Sequence, residues 1–440
     1  MPEFKTDRRI FMKATGSAFA ALLASGCMAR GNMGNPAAAA RSYGDLVPDP
    51  AGVLDLPKGF SYRVVSRLGD AMTDGGTVPD KADGMGCFRL PGGKLALVRN
   101  HELVPGDSAG TELTRGYGKL PDGTFLPGGT TTLVLDARTL AVEKQFRSMA
   151  GTMRNCSGGV TPWGTWLTCE EPGSRGLEAL PAHGYVFEIP AAAKTMSQPR
   201  PLTAMGRFNH EAAAVDPATG IVYLTEDQGD SLFYRFIPSV PGELDKGGVL
   251  QALAVEGGIT DSRNKENVTF ARDSKHNVRW ITLDNVESPN DDLRKRGAAL
   301  GATLFARGEG LHYGDGELYF CCTSGGAAGL GQIFRLVPGH NGGADRIHLF
   351  FESTDPEQFN YGDNLCVAPN GHLVICEDQY TDVVDNHLRG LTPQGEVYPL
   401  AKLHKQTELA GACFSPDGKT MFVNIYSPTM TVAIKGPWIG

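Results

Sequence analysis

The stretch "NCSGGVTPWGTWLTCEE", from Asn155 to Glu171, carries the pattern that decides the fold. A turn at residues 161–164 separates a polar, glycine-rich run from a short apolar run. A turn that ends in glycine between two such runs is typical of a β-hairpin. The start of the first strand and the end of the second strand lie at the same end of a hairpin. The pattern therefore brings Cys156 close to the two adjacent acids, Glu170 and Glu171.

The same outline occurs six times along the chain. Each unit has a polar, glycine-rich start that becomes apolar, then a tight turn, then apolar or β-branched residues that end in a polar cluster. The second halves of the six units are "PGGKLALVRNHE" (91–102), "PWGTWLTCEE" (162–171), "PATGIVYLTEDQG" (217–229), "GDGELYFCCTSGG" (314–326), "PNGHLVICEDQ" (369–379) and "PDGKTMFVNIYS" (416–427).

Repeats at this scale are typical of solenoids and propellers, and their uneven spacing favours propeller blades with variable loops. The chain has 440 residues, with 57 Gly and 28 Pro, which suits many short strands joined by tight turns. We therefore predict an all-β chain, a six-bladed β-propeller over residues 45–440 with metals in its central channel. The closing blade is expected to combine an N-terminal strand near residues 60–68 with a C-terminal strand near "MFVNIY" or "MTVAIK".

If the first strand of each unit is innermost, six polar ends converge on one mouth of the channel. First strands would supply Asp83, Cys156, Glu211, Glu309 and Asp363, and second strands would supply Asn100 to Glu102, Glu170, Glu171, Glu226, Asp227, Glu377 and Asp378. Ionised carboxylates cannot crowd together without cations between them, so we predict bound metal. Oxygen ligands suit hard cations such as Ca²⁺, and a thiolate among carboxylates suggests iron or zinc. A lone acid after a strand is usually a solvated loop residue, and about half of the second-strand acids are expected to be so.

The N-terminal segment is predicted to be a targeting signal. Residues 1–30 have twin arginines, Arg8 and Arg9, before a short apolar stretch, which resembles a twin-arginine export signal. Cys27 could be a lipoprotein cleavage site, so a free periplasmic protein and a lipid-anchored one both stay open. Residues 31–44 are expected to be a flexible spacer. The apolar stretch is too short for a transmembrane span.

Composition limits the partners and the role of the cysteines. The net charge of −8 argues against nucleic acid as a partner. Most of the nine cysteines lie in apolar strand-like runs and are expected to be small buried hydrophobes. Cys156 lies outside any apolar run. We expect a monomer that acts on a small substrate.

Several of these segments together resemble the PhoX family of bacterial alkaline phosphatases. The matching segments cover most of the chain from about residue 79 to residue 379. They are "RNHE" (99–102), "RNCSGGVTPWGTWLTCEE" (154–171), "GRFNHEAAAVDP" (206–217), "VYLTEDQGDSLFYRFIP" (222–238), "ARGEGLHY" (306–313) and "DNLCVAPNGHLVICEDQ" (363–379).

The resemblance implies a six-bladed propeller that hydrolyses phosphate monoesters with iron and calcium in its axial channel. It implies that Cys156 binds iron and that Arg307 contacts the substrate phosphate, with Asn100 as the candidate for a second phosphate contact. The other metal ligands that it implies are Glu211, Glu309 and Asp363, together with Glu171 or Glu170.

The residues themselves support this chemistry. Cations in a channel of carboxylates would attract a phosphate dianion and polarise its oxygens, and the planar guanidinium of Arg307 suits phosphate. No Ser or His constellation stands out, so a metal-bound oxygen is expected to be the nucleophile. Two alternatives stay open: a calcium-dependent lactonase or esterase, and a periplasmic propeller that binds a partner or sugar without catalysis.

Overall fold

The structure is a computed structural model that describes residues 43–173, 180–379, 381 and 383–438. The predicted export signal and residues 31–42 of the predicted spacer lie outside the described residues. No helix in the described ranges is long and apolar enough to cross a membrane.

The described chain is almost entirely β-structure, with one short α-helix and three 3₁₀ turns, at Thr203–Met205, Leu244–Lys246 and His340–Gly342. The elements are, in chain order, β1 (Leu46–Val47), β2 (Leu54–Pro57), β3 (Ser61–Arg67), β4 (Ala82–Leu90), β5 (Lys94–His101), β6 (Gly128–Asp136), β7 (Val142–Thr152), β8 (Asn155–Val160), β9 (Thr165–Glu170), β10 (Val186–Pro190), β11 (His210–Val215), β12 (Val222–Glu226), β13 (Tyr234–Pro238), β14 (Gly248–Val255), β15 (Lys275–Thr282), α1 (Leu293–Ala299), β16 (Gly308–Gly314), β17 (Glu317–Cys322), β18 (Gln332–Val337), β19 (Arg346–Glu352), β20 (Gly362–Val367), β21 (Leu373–Glu377), β22 (His387–Leu391), β23 (Val397–Leu403), β24 (Leu409–Phe414), β25 (Thr420–Ile425) and β26 (Met430–Lys435).

Consecutive strands pair antiparallel into six blades. The blades are β4–β7, β8–β10, β11–β15, β16–β19, β20–β23 and β24–β26. β2 and β1 extend the fifth blade at its outer edge, and β3 completes the sixth. The hydrogen-bonded sheets number five in the described chain, because β15 pairs with β19 and joins the third and fourth blades into one nine-stranded sheet. The predicted all-β propeller is confirmed, and only the number of separate sheets differs.

The first strand of every blade is innermost. Each of β4, β8, β11, β16, β20 and β24 contacts the next one in this order, and β24 contacts β4, so the six strands form a closed ring. The ring is closed by β3, which runs antiparallel to β26 from the pair Ser61–Lys435 to the pair Arg67–Met430. This confirms the closing strands predicted from the sequence. Pairing of the two ends covers the edge of β26 and ties the N-terminal strand into the last blade.

Apolar layers between the blades hold the ring together. The closing layer includes Trp438, which is fully buried and packs edge to face against the rings of Tyr43, Phe60 and Phe414. Val432 and Ile434 of β26 belong to the same cluster. Residues from both ends of the described chain therefore share one core.

Truncation after Thr429 is expected to destabilise the whole protein, because it removes both β26 and Trp438. The measurement is thermal unfolding followed by circular dichroism, with Lys435→Ala as the control. Lys435 is exposed at the end of β26, so its substitution is expected to change the free energy of unfolding by only about 0.5 kcal/mol. A truncated protein that unfolds at the same temperature as the full chain would contradict the role of β26.

Candidate metal centre

A register shift at the same place in all six inner strands positions the first group of site residues. In β4 the pairing passes from Ala82–His101 to Met85–Arg99, so three steps on the inner strand oppose two on its neighbour. The same shift occurs in β8, β11, β16, β20 and β24. A bulge of this kind re-aims a side chain out of the regular alternation. In each inner strand, one residue directly follows the pair that precedes the shift. These residues are Asp83, Cys156, Glu211, Glu309, Asp363 and Gly411.

Five of these six positions line one cavity. The exception is Gly411, whose φ of 62° is left-handed. A Cβ atom there would lie 2.4 Å from the carbonyl oxygen of Asp83, so the sixth blade has no room for a side chain at this position.

The ends of the second strands supply the second group. At the end of β9, Glu170 pairs with Asn155, and the next residue, Glu171, lines the cavity. Adjacent residues of a strand point to opposite sides. The equivalent cavity residues in the first, third and fifth blades are Glu102, Asp227 and Asp378.

In the second, third and fifth blades, the residue before the cavity acid is a buried glutamate with a structural role. Glu170 is fully buried, accepts hydrogen bonds from the backbone N–H groups of Met153 (3.1 Å) and Gly184 (2.9 Å), and lies 2.6 Å from Nδ1 of His183. Glu226 accepts from the Tyr234 hydroxyl at 2.7 Å. Glu377 accepts from Nε of Arg389 at 2.8 Å. In these three blades the buried glutamate therefore holds residues at or just before the start of the third strand.

The cavity has a volume of about 630 Å³ and is strongly acidic. Nine carboxylates line it against three cationic side chains, which leaves an excess of six negative charges when all are ionised. The carboxylates are Asp83, Glu102, Glu171, Glu211, Asp227, Glu309, Asp363, Asp378 and Glu408, and the cations are Lys81, Arg154 and Arg307.

Four groups within this lining bring three ligand atoms within 4.8 Å of one another. One contains the thiol: Glu102, Cys156 and Glu171. The other three offer only carboxylate oxygens, and they are Glu211 with Glu309 and Asp363, Asp83 with Glu102 and Glu408, and Asp363 with Asp378 and Glu408. Shared members connect the groups, so the arrangement can hold several cations side by side.

Burial and mutual repulsion make these groups hard to ionise without cations. Burial, and then the charges of Glu309 and Asp363, raises the pKa of Glu211 well above its usual range. Burial, and then Asp378, raises the pKa of Asp363 to about 8. Burial, and then Glu211, raises the pKa of the Cys156 thiol. Bound cations would relieve this repulsion, because they stabilise the ionised forms of these ligands.

The donor set therefore fits metal ions. Oδ1 of Asp83 is buried, and no hydrogen-bond partner for it is found in the described part of the chain. The Cys156 thiol donates to Oε2 of Glu171 at a sulfur–oxygen distance of 3.3 Å, so the thiol and a carboxylate lie close enough for a shared ligand shell. An unpartnered buried carboxylate oxygen costs free energy that a cation would recover. All-oxygen groups suit Ca²⁺, and the group with the thiol suits a transition metal.

Arg307 lies at the rim of the cavity and is held by two acids. Its Nε and Nη2 atoms donate to the two carboxylate oxygens of Asp227 at 2.7 and 2.9 Å, and Nη2 also donates to Glu309 at 2.7 Å. Burial alone would lower the pKa of Arg307, but Glu309 and Asp227 raise it, so the guanidinium stays charged.

The structure separates the sequence-predicted residues into two sets. Cys156, Glu171, Glu211, Glu309, Asp363 and Arg307 all line the cavity. Two others do not. Glu170 lies in the blade interior, as described above, so of the two adjacent acids Glu171 is the candidate ligand.

Asn100 is also placed away from the cavity lining. Its side-chain NH₂ donates to the carbonyl oxygens of Cys156 (3.0 Å) and Ser157 (2.7 Å), and its Oδ1 accepts from Trp166 and Thr168. These contacts use the hydrogen-bonding capacity of the amide, so Asn100 holds the Cys156 segment in place, and its phosphate contact stays a prediction.

The chain also places residues in the cavity that sequence reasoning had not singled out. They are Lys81, Val104, Arg154, Tyr361, Thr381, Glu408 and Tyr426. Lys81, Arg154 and Tyr361 stand two residues before Asp83, Cys156 and Asp363, the spacing that separates Arg307 from Glu309. This repeated two-residue spacing is the sequence signal that could have revealed Lys81, Arg154 and Tyr361. Glu408 had no such signal, because it precedes Gly411 by three residues.

Substitution of the two adjacent glutamates is expected to separate stability from metal binding. Glu170→Gln removes a carboxylate that accepts backbone N–H groups, so it should lower the free energy of unfolding by about 1–3 kcal/mol. Glu171→Gln removes one charge from a crowded group, so it should leave the metal-free fold at least as stable but weaken metal binding. Urea denaturation in chelator and calcium titration of each variant measure the two effects. Equal loss of stability in both variants would contradict the separation.

Metal removal is expected to reverse the pH dependence of stability. The folded pKa of Asp363, about 8, lies above its ordinary value of 3.8. The folded state therefore keeps a proton that the unfolded chain releases, and stability falls as the pH rises through this window. The melting temperature of chelated protein should fall between about pH 4 and pH 8. The difference in melting temperature between metal-loaded and chelated protein should grow as the pH rises. A chelated protein that becomes more stable across this range would contradict the picture of a cation-dependent channel.

The propeller fold is also found in a protein of known structure. The solved structure of PhoX from Pseudomonas fluorescens, in complex with the transition-state analogue vanadate, matches with a TM-score of 0.70 and 19% identity, over 88% of this chain and 96% of that one. A gluconolactonase from Xanthomonas campestris matches with a TM-score of 0.38 and 16% identity, over 90% of this chain and 99% of that one. Comparison with curated proteins gave no significant match.

The family comparison covers nearly the whole described chain. The sequence matches the family described as alkaline phosphatase PhoX over residues 41–429. This range includes every cavity residue and all six inner strands. The chain therefore belongs to the alkaline phosphatase PhoX family and is a phosphomonoesterase.

Proposed function

We propose that the channel hydrolyses small phosphate monoesters with iron and calcium ions held by its carboxylates and by Cys156. The observation that carries this proposal is the joint presence of nine carboxylates, one thiol and three cationic side chains in one cavity of about 630 Å³. Without cations the cavity would repel a phosphate dianion. With cations bound, it becomes an anion site.

The residues divide into those that hold cations and those that hold the substrate. Glu211, Glu309 and Asp363 form an all-oxygen group suited to Ca²⁺, and Cys156 with Glu171 forms the group suited to iron. When bound, such cations neutralise the charge of the phosphoryl oxygens and lower the pKa of coordinated water.

Arg307 is the chain's own candidate for a phosphate contact. Its side chain is about 37% exposed at the rim, and Asp227 and Glu309 fix the plane of the guanidinium. A guanidinium held in this way loses little conformational freedom when it binds two phosphate oxygens. Arg307 would therefore orient the substrate as well as attract it.

The lining also limits the choice of nucleophile. Among the described residues, no serine or histidine lines the cavity. The Cys156 thiol has a raised pKa because of burial and the charge of Glu211, so it is a poor nucleophile and a better candidate for a ligand. We therefore infer that the attacking oxygen comes from water.

The proposed place of action is outside the cytoplasm. It rests on the twin arginines of residues 1–30, which lie outside the described residues. Export in the folded state would carry metals that were bound before export. A phosphatase in the periplasm would act on phosphorylated molecules that reach that compartment.

The test is elemental analysis beside a phosphomonoesterase assay on one preparation purified without chelator. Wild-type protein is expected to contain iron and calcium, and Cys156→Ser to lose iron and activity with its fold intact. Glu309→Gln should lose metal and turnover together, because a neutral amide is a poorer ligand for hard cations. Active wild-type protein that contains no iron would contradict the proposed role of Cys156.

Arg307→Ala measures the phosphate contact separately from metal binding. The variant is expected to keep its metals, lose catalytic efficiency and bind inorganic phosphate more weakly as a product inhibitor. Arg307→Lys should recover only part of the loss, because a point charge cannot replace two parallel hydrogen bonds. If Arg307→Ala lowered only the melting temperature and left phosphate inhibition unchanged, Arg307 would be a structural ion-pair partner.

A further inference from the structure

The residue two positions before the bulged ligand occupies an equivalent place in the first five blades. In the second and fourth blades this residue is an arginine, Arg154 before Cys156 and Arg307 before Glu309. Both arginines have a left-handed backbone, with φ of 47° and 53°. This conformation is uncommon for residues other than glycine. The backbone carbonyl of each arginine accepts the N–H of the residue that follows the second strand of its blade, Glu171 (3.0 Å) and Thr323 (3.0 Å).

The two guanidiniums are held through the same nitrogens, which meet one oxygen of Glu102 for Arg154 and both oxygens of Asp227 for Arg307. Arg154 donates through Nε (3.0 Å) and Nη2 (2.7 Å) to Glu102, the cavity acid of the preceding blade. Arg307 donates through Nε and Nη2 to Asp227, which is again the cavity acid of the preceding blade. Nη2 of each also reaches an acid of its own blade, Glu171 at 2.9 Å for Arg154 and Glu309 at 2.7 Å for Arg307.

The remaining donor of each guanidinium is available to a ligand. Within the described ranges, no hydrogen bond from Nη1 of Arg154 or of Arg307 to a protein acceptor is found. Both side chains are exposed to the same degree, 35% for Arg154 and 37% for Arg307, and both line the cavity. A charged donor at a cavity wall, fixed by two acids, is suited to bind an anion.

The first and fifth blades repeat this backbone, with Lys81 (φ 54°) and Tyr361 (φ 51°), but no other blade places an arginine at this position. Lys81 holds the equivalent place in the first blade but pairs with Asp107 at 2.7 Å, which does not line the cavity. Asn209 holds it in the third blade, where its Oδ1 accepts from the N–H of Gly173. The two arginines therefore stand on either side of β11, which carries Glu211.

We propose that Arg154 is a second phosphate-binding residue, which holds the substrate phosphate together with Arg307. This inference rests on the proposed function. Two guanidiniums from different blades would bind different oxygens of one phosphate, with the candidate cation groups between them. Such a clamp would fix the orientation of the phosphorus more firmly than one arginine can.

The test is binding of inorganic phosphate to metal-loaded protein, measured by calorimetry, beside the inhibition constant of phosphate in the monoesterase assay. Arg154→Lys keeps the charge next to Glu102 and Glu171, so iron and calcium contents should match those of the wild type. Phosphate binding is expected to weaken about tenfold or more, the size of one lost charge-assisted hydrogen bond. Arg307→Lys should show a loss of similar size, and the double variant should not show the product of the two losses if both arginines bind one phosphate.

A matched control is Arg263→Lys. Arg263 donates through Nε (2.9 Å) and Nη2 (2.6 Å) to Asp261 in the same two-nitrogen geometry, but it does not line the cavity. The phosphate affinity of the Arg263→Lys variant should equal that of the wild-type protein.

Two results would overturn the proposal. One is an Arg154→Lys variant with wild-type phosphate affinity while Arg307→Lys is weakened. The other is loss of metal from Arg154→Lys, which would make Arg154 a brace for the ligands Glu102 and Glu171. Failure of the proposed function would look different, because the wild-type protein would then neither hydrolyse monoesters nor bind phosphate.

Discussion

The site depends on one backbone feature, the register shift at the start of each inner strand. In a regular strand, the residues after the last pair at the channel mouth would alternate between the channel and the blade interior. The bulge inserts one residue and turns its side chain toward the axis. Because all six inner strands shift at the same level, their ligands lie in one ring and not along the length of the channel.

Concentrating acids in this way works against the stability of the metal-free fold. A buried carboxylate next to others either keeps a proton or requires a cation, and both alternatives cost free energy relative to a solvated acid. The three cationic side chains reduce the excess charge of the lining but do not remove it. The remaining negative charge is what gives the channel affinity for metal ions. Stability lost at the channel and metal binding gained there have the same physical origin, which is the usual relation at functional sites.

The sequence predicted the fold and most of the cavity, and it failed where a side chain's direction decides its role. Repeated hairpins gave the propeller and its closing strands, because hydrophobic alternation and turns are local signals. The pairs of adjacent acids could not be divided from the sequence. Glu170 and Glu171 have the same chemistry, and only the pairing of Glu170 with Asn155 shows that Glu171 faces the cavity. The contacts of Asn100 could not be read from the sequence for a similar reason, since its carbonyl partners at Cys156 and Ser157 come from another blade.

The blades do not contribute equivalent residues at every position, so the cavity lining is asymmetric around the propeller axis. The second-strand position that holds Glu102, Glu171, Asp227 and Asp378 is Thr323 in the fourth blade and Ile425 in the sixth. The sixth blade also has Gly411 in place of a ligand, and it contributes Glu408 and Tyr426 instead, with the Tyr426 hydroxyl donating to Glu102. The thiol and both rim arginines lie on the second to fourth blades, whereas the fifth and sixth blades contribute acids and tyrosines. Candidate cation groups thus reach around the ring, but the guanidiniums suited to phosphate face the channel from one side. A substrate held by these guanidiniums and by cations would therefore have one preferred orientation, which in-line displacement at phosphorus requires.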